Sequence, residues 1–247
     1  MLISNHQPAR FWLLSMRYER KFFVEAGNQD QLFPLIQLNP LSFKEAYPDR
    51  KVNSIYFDDY AFTMLQDNLD GNPERRKIRL RWYGEQHDII TGGRLEVKSK
   101  VGLTGSKQLF EFPDLPLSDM PVITTQVNEL LHFDNIQPAL IVRYHRAYYV
   151  SFNKHIRLTV DSQLQYTSME GQAWETEGAI LEVKYAPEKE EEVAEMMQYF
   201  PFRLSKHSKY ALGMTANLIW AFGFPKKNLS LRAFLMKVTG LVVQWIE

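Results

Sequence analysis

Residues 77–84 read KIRLRWYG, with Ile78, Leu80 and Trp82 on alternate positions and Lys77, Arg79, Arg81 and Tyr83 between them. Successive side chains of an extended chain point to opposite faces, so this segment carries one apolar face and one cationic face. The same period of two recurs at 17–24 (RYERKFFV), 52–58 (VNSIYFD), 93–100 (GRLEVKSK), 107–112 (KQLFEF), 138–150 (PALIVRYHRAYYV), 156–164 (IRLTVDSQL) and 179–185 (AILEVKY). Rich in β-branched and aromatic residues, these segments predict about eight strands, enough to close a small barrel with no exposed edge. The expected fold class is α+β, a closed antiparallel β-barrel or tunnel of about eight strands with flanking helices.

Helical patterns are fewer. They fall at 29–37 (QDQLFPLIQ), 124–133 (TTQVNELLHF), 188–200 (EKEEEVAEMMQYF) and from about Ser208 through KYALGMTANLIWAF. Pro187 suits the first turn of the third, whose glutamates lie near the positive helix end. The stretch LRAFLMKVTGLVVQWIE places Leu231, Phe234, Leu235, Val238, Leu241, Val242 and Trp245 on one helical face. Arg232 and Lys237 give it only a thin basic side for lipid, so we read it as a helix covering the sheet, with a membrane or protein partner as the second reading. No linker or repeat divides the chain. The expected organisation is an N-terminal extension over 1–16, a tunnel domain over 17–220, and an amphipathic helical tail over 221–247 packed on it.

The charged faces decide what such a barrel is for. Arg17, Glu19 and Lys21 share one face, as do Arg79 and Arg81. Arg94, Glu96, Lys98 and Lys100 share another; so do Tyr144 and Arg146, then Arg157, Thr159 and Asp161, then Glu182 and Lys184. On solvent-exposed faces one expects Ser, Thr and Gln mixed in; here cations concentrate. If the sheet closes with helices outside, these faces line the lumen. Unpaired charges in a low-dielectric cavity are costly, and a string of phosphates neutralises them, with Arg supplying forked donors and Lys compact charge. The interspersed glutamates suit a hard divalent ion bridging phosphate oxygens, so the pattern points to a polyanion held with Mg²⁺ or Mn²⁺.

Other chemistries are excluded. The segment GLTGSK (102–107) lacks P-loop spacing, no GxGxxG occurs, and the 6 histidines show no paired-ligand spacing for zinc. The absence of cysteine rules out thiolate metal sites and fits a reducing compartment. A net charge of zero argues against a nucleic-acid partner. With no apolar run long enough for a transmembrane segment and no signal-peptide pattern at the start, the expected location is cytoplasmic.

With these residues in hand, the chain resembles the polyphosphate polymerase (VTC) domain of vacuolar transporter chaperone type, in the triphosphate tunnel metalloenzyme (CYTH-like) superfamily. The resemblance runs from about residue 17 to 215. It rests on RKFFV with Lys21, SIYFDD (54–59), RLRWYG with Arg79 and Arg81, LEVK with Glu96 and Lys98, and YHRAYY with Tyr144 and Arg146. RLTVD with Arg157, LEVKY with Glu182, and SKHSKYALG with Lys206, Ser208 and Lys209 complete it. The resemblance implies an antiparallel tunnel that binds ATP and inorganic polyphosphate with Mn²⁺ or Mg²⁺. Lys21, Arg79, Arg81, Lys98, Arg146, Arg157, Lys206, Ser208 and Lys209 would hold phosphates, and Tyr144 would orient the transferred group among Arg79, Arg81 and Arg146. Glu182 would bind the metal, with Glu96 and Glu19 as further candidates.

The function expected is transfer of the γ-phosphoryl group of ATP to a polyphosphate end. Its rivals are hydrolysis of inorganic triphosphate or polyphosphate, and non-catalytic polyphosphate binding. A third, single-stranded nucleic-acid binding, would use Trp82 and Tyr83 as stacking platforms. The N-terminal strand reads RYERK where many tunnel enzymes have ExExK, which sets the chain apart from triphosphatase and cyclase relatives.

Overall fold

Ile78, Leu80 and Trp82 are fully buried while Lys77 and Arg79 on the opposite face are half-buried, so the alternation at 77–84 does separate core from charge. The computed structural model describes residues 10–13, 17–85, 87–102, 104–205, 208–221 and 243–245. Its strands are β1 (Arg10–Leu13), β2 (Tyr18–Val24), β3 (Lys44–Asp59), β4 (Glu74–Tyr83), β5 (Ile89–Ile90), β6 (Gly93–Val101), β7 (Thr104–Phe112), β8 (Leu115–Pro116), β9 (Ile136–Val150), β10 (Arg157–Ser168), β11 (Ala173–Thr176), β12 (Ala179–Tyr185) and β13 (Val243–Trp245). The helices are α1 (Gln29–Gln37), α2 (Thr63–Leu69), α3 (Met120–Leu131), α4 (Glu190–Met197) and α5 (Lys209–Ala221). All eight predicted strands and four of the five predicted helices are present.

The main sheet is antiparallel throughout and runs β1-β7-β6-β4-β3-β9-β10. At β10 it forks. Residues 157–161 pair with β12, which pairs with β2, while residues 164–167 pair with β11. The fork sits where the β9–β10 register shifts between Ser162 and Gln165, with Gln163 at φ 52°. A bulge there bends the strand and lets one strand serve two neighbours.

The closed ring expected from the sequence is not formed by strands among the described residues. β1, at one end of the path, does not pair with β2, the last strand of the β12 arm. The free edge of β2 is instead taken by the chain leading to α5: Leu204 bridges Phe22, and Ser205 N donates to Lys21 O at 2.8 Å. The sheet nonetheless curves enough for β4 to reach the segment that leads into α5, since Lys77 Nζ donates to Ser208 Oγ at 3.0 Å.

Helices cover the apolar faces. α1 and α4 bury Leu32, Ile36, Val193 and Met196 against β2, β10 and β12, and α3 buries Ile123 and Val127 against β3, β4 and β6. α5 packs differently. The face of β9 that carries Tyr144 and Arg146 continues as Leu140 and Val142, and this apolar end of the concave side packs against Tyr210, Met214 and Ala216 of α5. Gly213 permits the approach, since a Cβ there would lie 2.4 Å from Leu140 and 2.6 Å from the Tyr166 ring.

The predicted C-terminal helix lies almost wholly outside the described residues. At 243–245 it is corrected to a strand, paired with Trp174, Glu175 and Thr176. No helix among the described residues is long and apolar enough to cross a membrane.

Candidate active site

The concave side brings together the ionic faces of β2, β4, β6, β7, β9, β10 and β12 and the first residue of α5. Glu96 stands at one centre. Its Oε2 accepts from Arg79 Nε at 2.7 Å, its Oε1 accepts from Lys107 Nζ at 2.9 Å, and Arg81 lies 3.9 Å away. Burial works to raise its pKa, but Arg79, Arg81 and Lys107 together hold the carboxyl well below the usual range. Both oxygens are thus committed to cations.

Asp161 is the second centre. Arg146 donates to its two oxygens at 2.5 and 2.6 Å, and Lys209 Nζ lies 2.5 Å from Oδ2. Although Asp161 is fully buried, Lys209 and Arg146 hold its pKa at about 2. Lys209 and Arg146 also flank the Tyr144 ring, 4.7 and 5.3 Å from its centroid, and the Tyr144 hydroxyl accepts from Arg81 Nη2 at 3.1 Å. Tyr144 is therefore fixed between Arg81, Arg146 and Lys209.

Glu182 is the third centre, buried beside Lys184 and 3.5 Å from Lys21. Burial would raise its pKa; Lys21, Lys184 and Arg146 outweigh it and hold the carboxyl ionised. Lys21 also lies 2.6 Å from Glu19, whose carboxyl is likewise held low against burial and the charge of Glu182.

Two lysines have no such partner. No carboxylate among the described residues lies within 4 Å of Lys77 or Lys98; Lys77 Nζ donates to Ser208 Oγ at 3.0 Å. Burial and the neighbouring cations, Lys21, Arg75 and Arg79 for Lys77 and chiefly Arg79 for Lys98, push both pKa values down to about 7. Ser208 also caps α5, its Oγ accepting from Ala211 N at 3.3 Å.

Of the residues singled out from the sequence, Lys21, Arg79, Arg81, Lys98, Arg146, Ser208, Lys209, Tyr144, Glu19, Glu96 and Glu182 lie in this network. Arg157 is exposed at the first position of β10, in register with Lys184 and so at the rim. Lys206 lies outside the described residues. Sequence reasoning left out Lys77, Lys107, Lys184, Asp161 and Tyr56, whose hydroxyl faces Arg79 at 3.4 Å. Strand parity already placed Lys77, Asp161 and Lys184 on charged faces; only the pairing between strands showed their role.

Among the described residues no cluster of three or more acidic, His or Cys side chains could hold a metal by itself. The donor set still fits a hard ion shared with substrate. Mg²⁺ is commonly held by one or two carboxylates with the remaining positions filled by phosphate oxygens and water. Glu182 with Glu19 beside it provides those two carboxylates, paired only with the lysines Lys21 and Lys184, whereas Glu96 and Asp161 are also bonded by arginines, Arg79 and Arg81 for the first and Arg146 for the second.

A family model, the VTC domain, matches residues 16–218. No curated protein matches the sequence. Among solved structures, a candidate adenylyl cyclase from Hippeastrum described as having dominant triphosphatase activity aligns at 15% identity and TM-score 0.49, covering 81% of this chain and 96% of that one. A candidate adenylate cyclase from Vibrio parahaemolyticus aligns at 11% identity and TM-score 0.46, covering 78% and 95%. One from Bacillus halodurans aligns at 12% and 0.40, covering 89% and 98%. At these scores the structural likenesses carry no functional weight.

Proposed function

We propose that this chain, which belongs to the VTC domain family, is a phosphotransferase that moves the γ-phosphoryl group of ATP to the end of a polyphosphate chain, inside a tunnel closed around the cationic face. The observation that carries this reading is the balance of charge. Nine cations (Lys21, Lys77, Arg79, Arg81, Lys98, Lys107, Arg146, Lys184 and Lys209) share one electrostatic network with four carboxylates, Glu19, Glu96, Asp161 and Glu182. A buried excess of this size is relieved by a polyanion, and a phosphate chain matches it in charge and in donor geometry.

In the step itself an ionised oxygen at the polyphosphate end forms a bond to the γ-phosphorus. The bond from that phosphorus to the β,γ-bridging oxygen breaks, and its electron pair leaves with ADP. The acceptor needs no deprotonation, so the chain's work is in-line positioning and neutralisation of charge on the transferring group. Arg79, Arg81 and Arg146 hold that group and Tyr144 orients it. Lys21, Lys98, Lys209 and Ser208 hold flanking phosphates, with Arg157 at the rim; Lys206 is assigned to phosphate by the family resemblance alone. Glu182, with Glu19 beside it, would hold a Mn²⁺ or Mg²⁺ ion, which would supply further neutralisation of phosphate charge.

Hydrolysis would use the same face but needs a base to activate water. Efficient general bases have a pKa near the working pH, and the four carboxylates here are all held below their ordinary values. Lys77 and Lys98, held at about 7, do meet that requirement, so it is the length of the products that separates transfer from attack by water. The test is incubation of the protein with ATP, Mn²⁺ and a short polyphosphate primer, with products resolved by length beside Glu182→Ala and Glu182→Gln. Long chains plus ADP, lost in both variants while polyphosphate binding persists, are expected. Shortened primer with intact ATP would make the protein a hydrolase, and binding without turnover would make it a polyphosphate-binding module.

A further inference from the structure

One end of the cationic face is ringed by tyrosines. The Arg50 guanidinium carbon lies 5.5 Å from the Tyr47 ring centroid, 5.7 Å from that of Tyr83 and 5.8 Å from that of Tyr148. Tyr47 and Tyr148 meet edge to face at 5.7 Å. Tyr47 is 58% exposed and Tyr83 42%, so neither belongs to the core.

The cluster continues the phosphate-facing rows. Tyr83 is two residues beyond Arg81 on β4, Tyr148 is two beyond Arg146 on β9, and Arg50 is the cross-strand partner of Arg146. Two residues along a strand amount to about 6.6 Å, room for a sugar between a phosphate at the arginines and a planar group at the tyrosines. An inorganic phosphate chain gains little from a tyrosine, whose ring face is negative. A nucleobase stacks on tyrosine rings and on a guanidinium plane alike.

We propose that Tyr47, Tyr83, Tyr148 and Arg50 form the nucleobase subsite, so that the nucleoside triphosphate enters with its phosphates directed inward and the acceptor chain lies toward Lys77 at the opposite end of β4. This rests on the phosphotransfer reading and adds which mouth receives the donor. It is tested by calorimetric titration of a β,γ-imido analogue of ATP and of inorganic tripolyphosphate into wild type, Tyr83→Ala, Tyr47→Ala and Tyr83→Phe. Each alanine variant should weaken nucleotide binding by about 5- to 150-fold while moving tripolyphosphate by no more than about 2-fold, the loss of one stacked base. Tyr83→Phe should keep nearly all the nucleotide affinity. If the alanine variants weaken both ligands alike, or neither, the subsite falls while the phosphotransfer reading stands. If wild type binds neither ligand, the phosphotransfer reading falls and takes the subsite with it.

Discussion

Lys77 shows how single residues hold this face in tension. It is half-buried, hydrogen-bonded to Ser208 and pressed by Lys21, Arg75 and Arg79, so burial and like charge bring its pKa down to about 7. Between that value and the ordinary 10.5 the unfolded chain binds more protons than the folded one, so this group makes stability rise with pH across the window; below about pH 7 its full cost is present. Lys77→Met should therefore raise the Tm of the ligand-free protein at pH 7, by about 2–4 °C for each kcal/mol recovered. It should flatten the rise in Tm between pH 7 and 9 and weaken polyphosphate binding. Differential scanning calorimetry at the two pH values, with and without polyphosphate, reads all three effects. A lower Tm at pH 7 would mean that Lys77 is neutralised by a partner and is not a strained phosphate ligand.

At the scale of elements, α5 is what fixes the apolar end of the concave side, and Gly213 is its contact point. Glycine lowers helix propensity by roughly 1 kcal/mol relative to alanine, so a propensity argument alone would favour Gly213→Ala. Packing reverses the sign. The added methyl would overlap Leu140 and Tyr166, and Tyr166 is itself stacked on Trp174 at 5.8 Å with the planes 9° apart. Overpacking of this kind typically costs about 1–3 kcal/mol. Gly213→Ala should lower the Tm and, by displacing Lys209 at the head of the helix from Asp161, weaken polyphosphate binding as well; chemical denaturation and a binding titration check the two. The long strands and α1 were legible because seven or more residues carry a clear period. α2, β1, β5, β8 and β11 are two to seven residues long and offer too few repeats to read, and β13 falls in a stretch whose apolar spacing reads as a helix. α3 begins at Met120, four residues before the predicted start, because Pro121 occupies a first-turn position inside a run, MPVITT, that reads as extended. The fork at β10 depends on a left-handed Gln163, which nothing in the side-chain pattern announces.

For the whole molecule the formal net charge is zero, yet one network holds nine cations against four carboxylates. The compensating acid lies elsewhere, for example in the first turn of α4, where Glu190, Glu191 and Glu192 follow one another. Total charge therefore conceals this cationic face, and strand parity reveals it. Parity assigns a face but not a partner, which is why Asp161 read as one more strand residue although it is the fully buried acceptor of Arg146 and Lys209. A face of this kind stabilises the fold most when filled. Ligand that binds only the native state adds about 2.7 kcal/mol at a hundred times its Kd. The eight steps from Arg75 to Tyr83 along the charged face of β4 span about 26 Å, and phosphates beyond that length meet no further part of that face. Thermal shift against orthophosphate, pyrophosphate, tripolyphosphate and size-fractionated longer chains, at equal molar concentration of chains, should thus rise steeply with length and then level off. A plateau is what a bounded channel requires. A rise that continued in proportion to length would mean that the chain wraps the outer surface, and the cationic concave side would lose its claim to be the binding site.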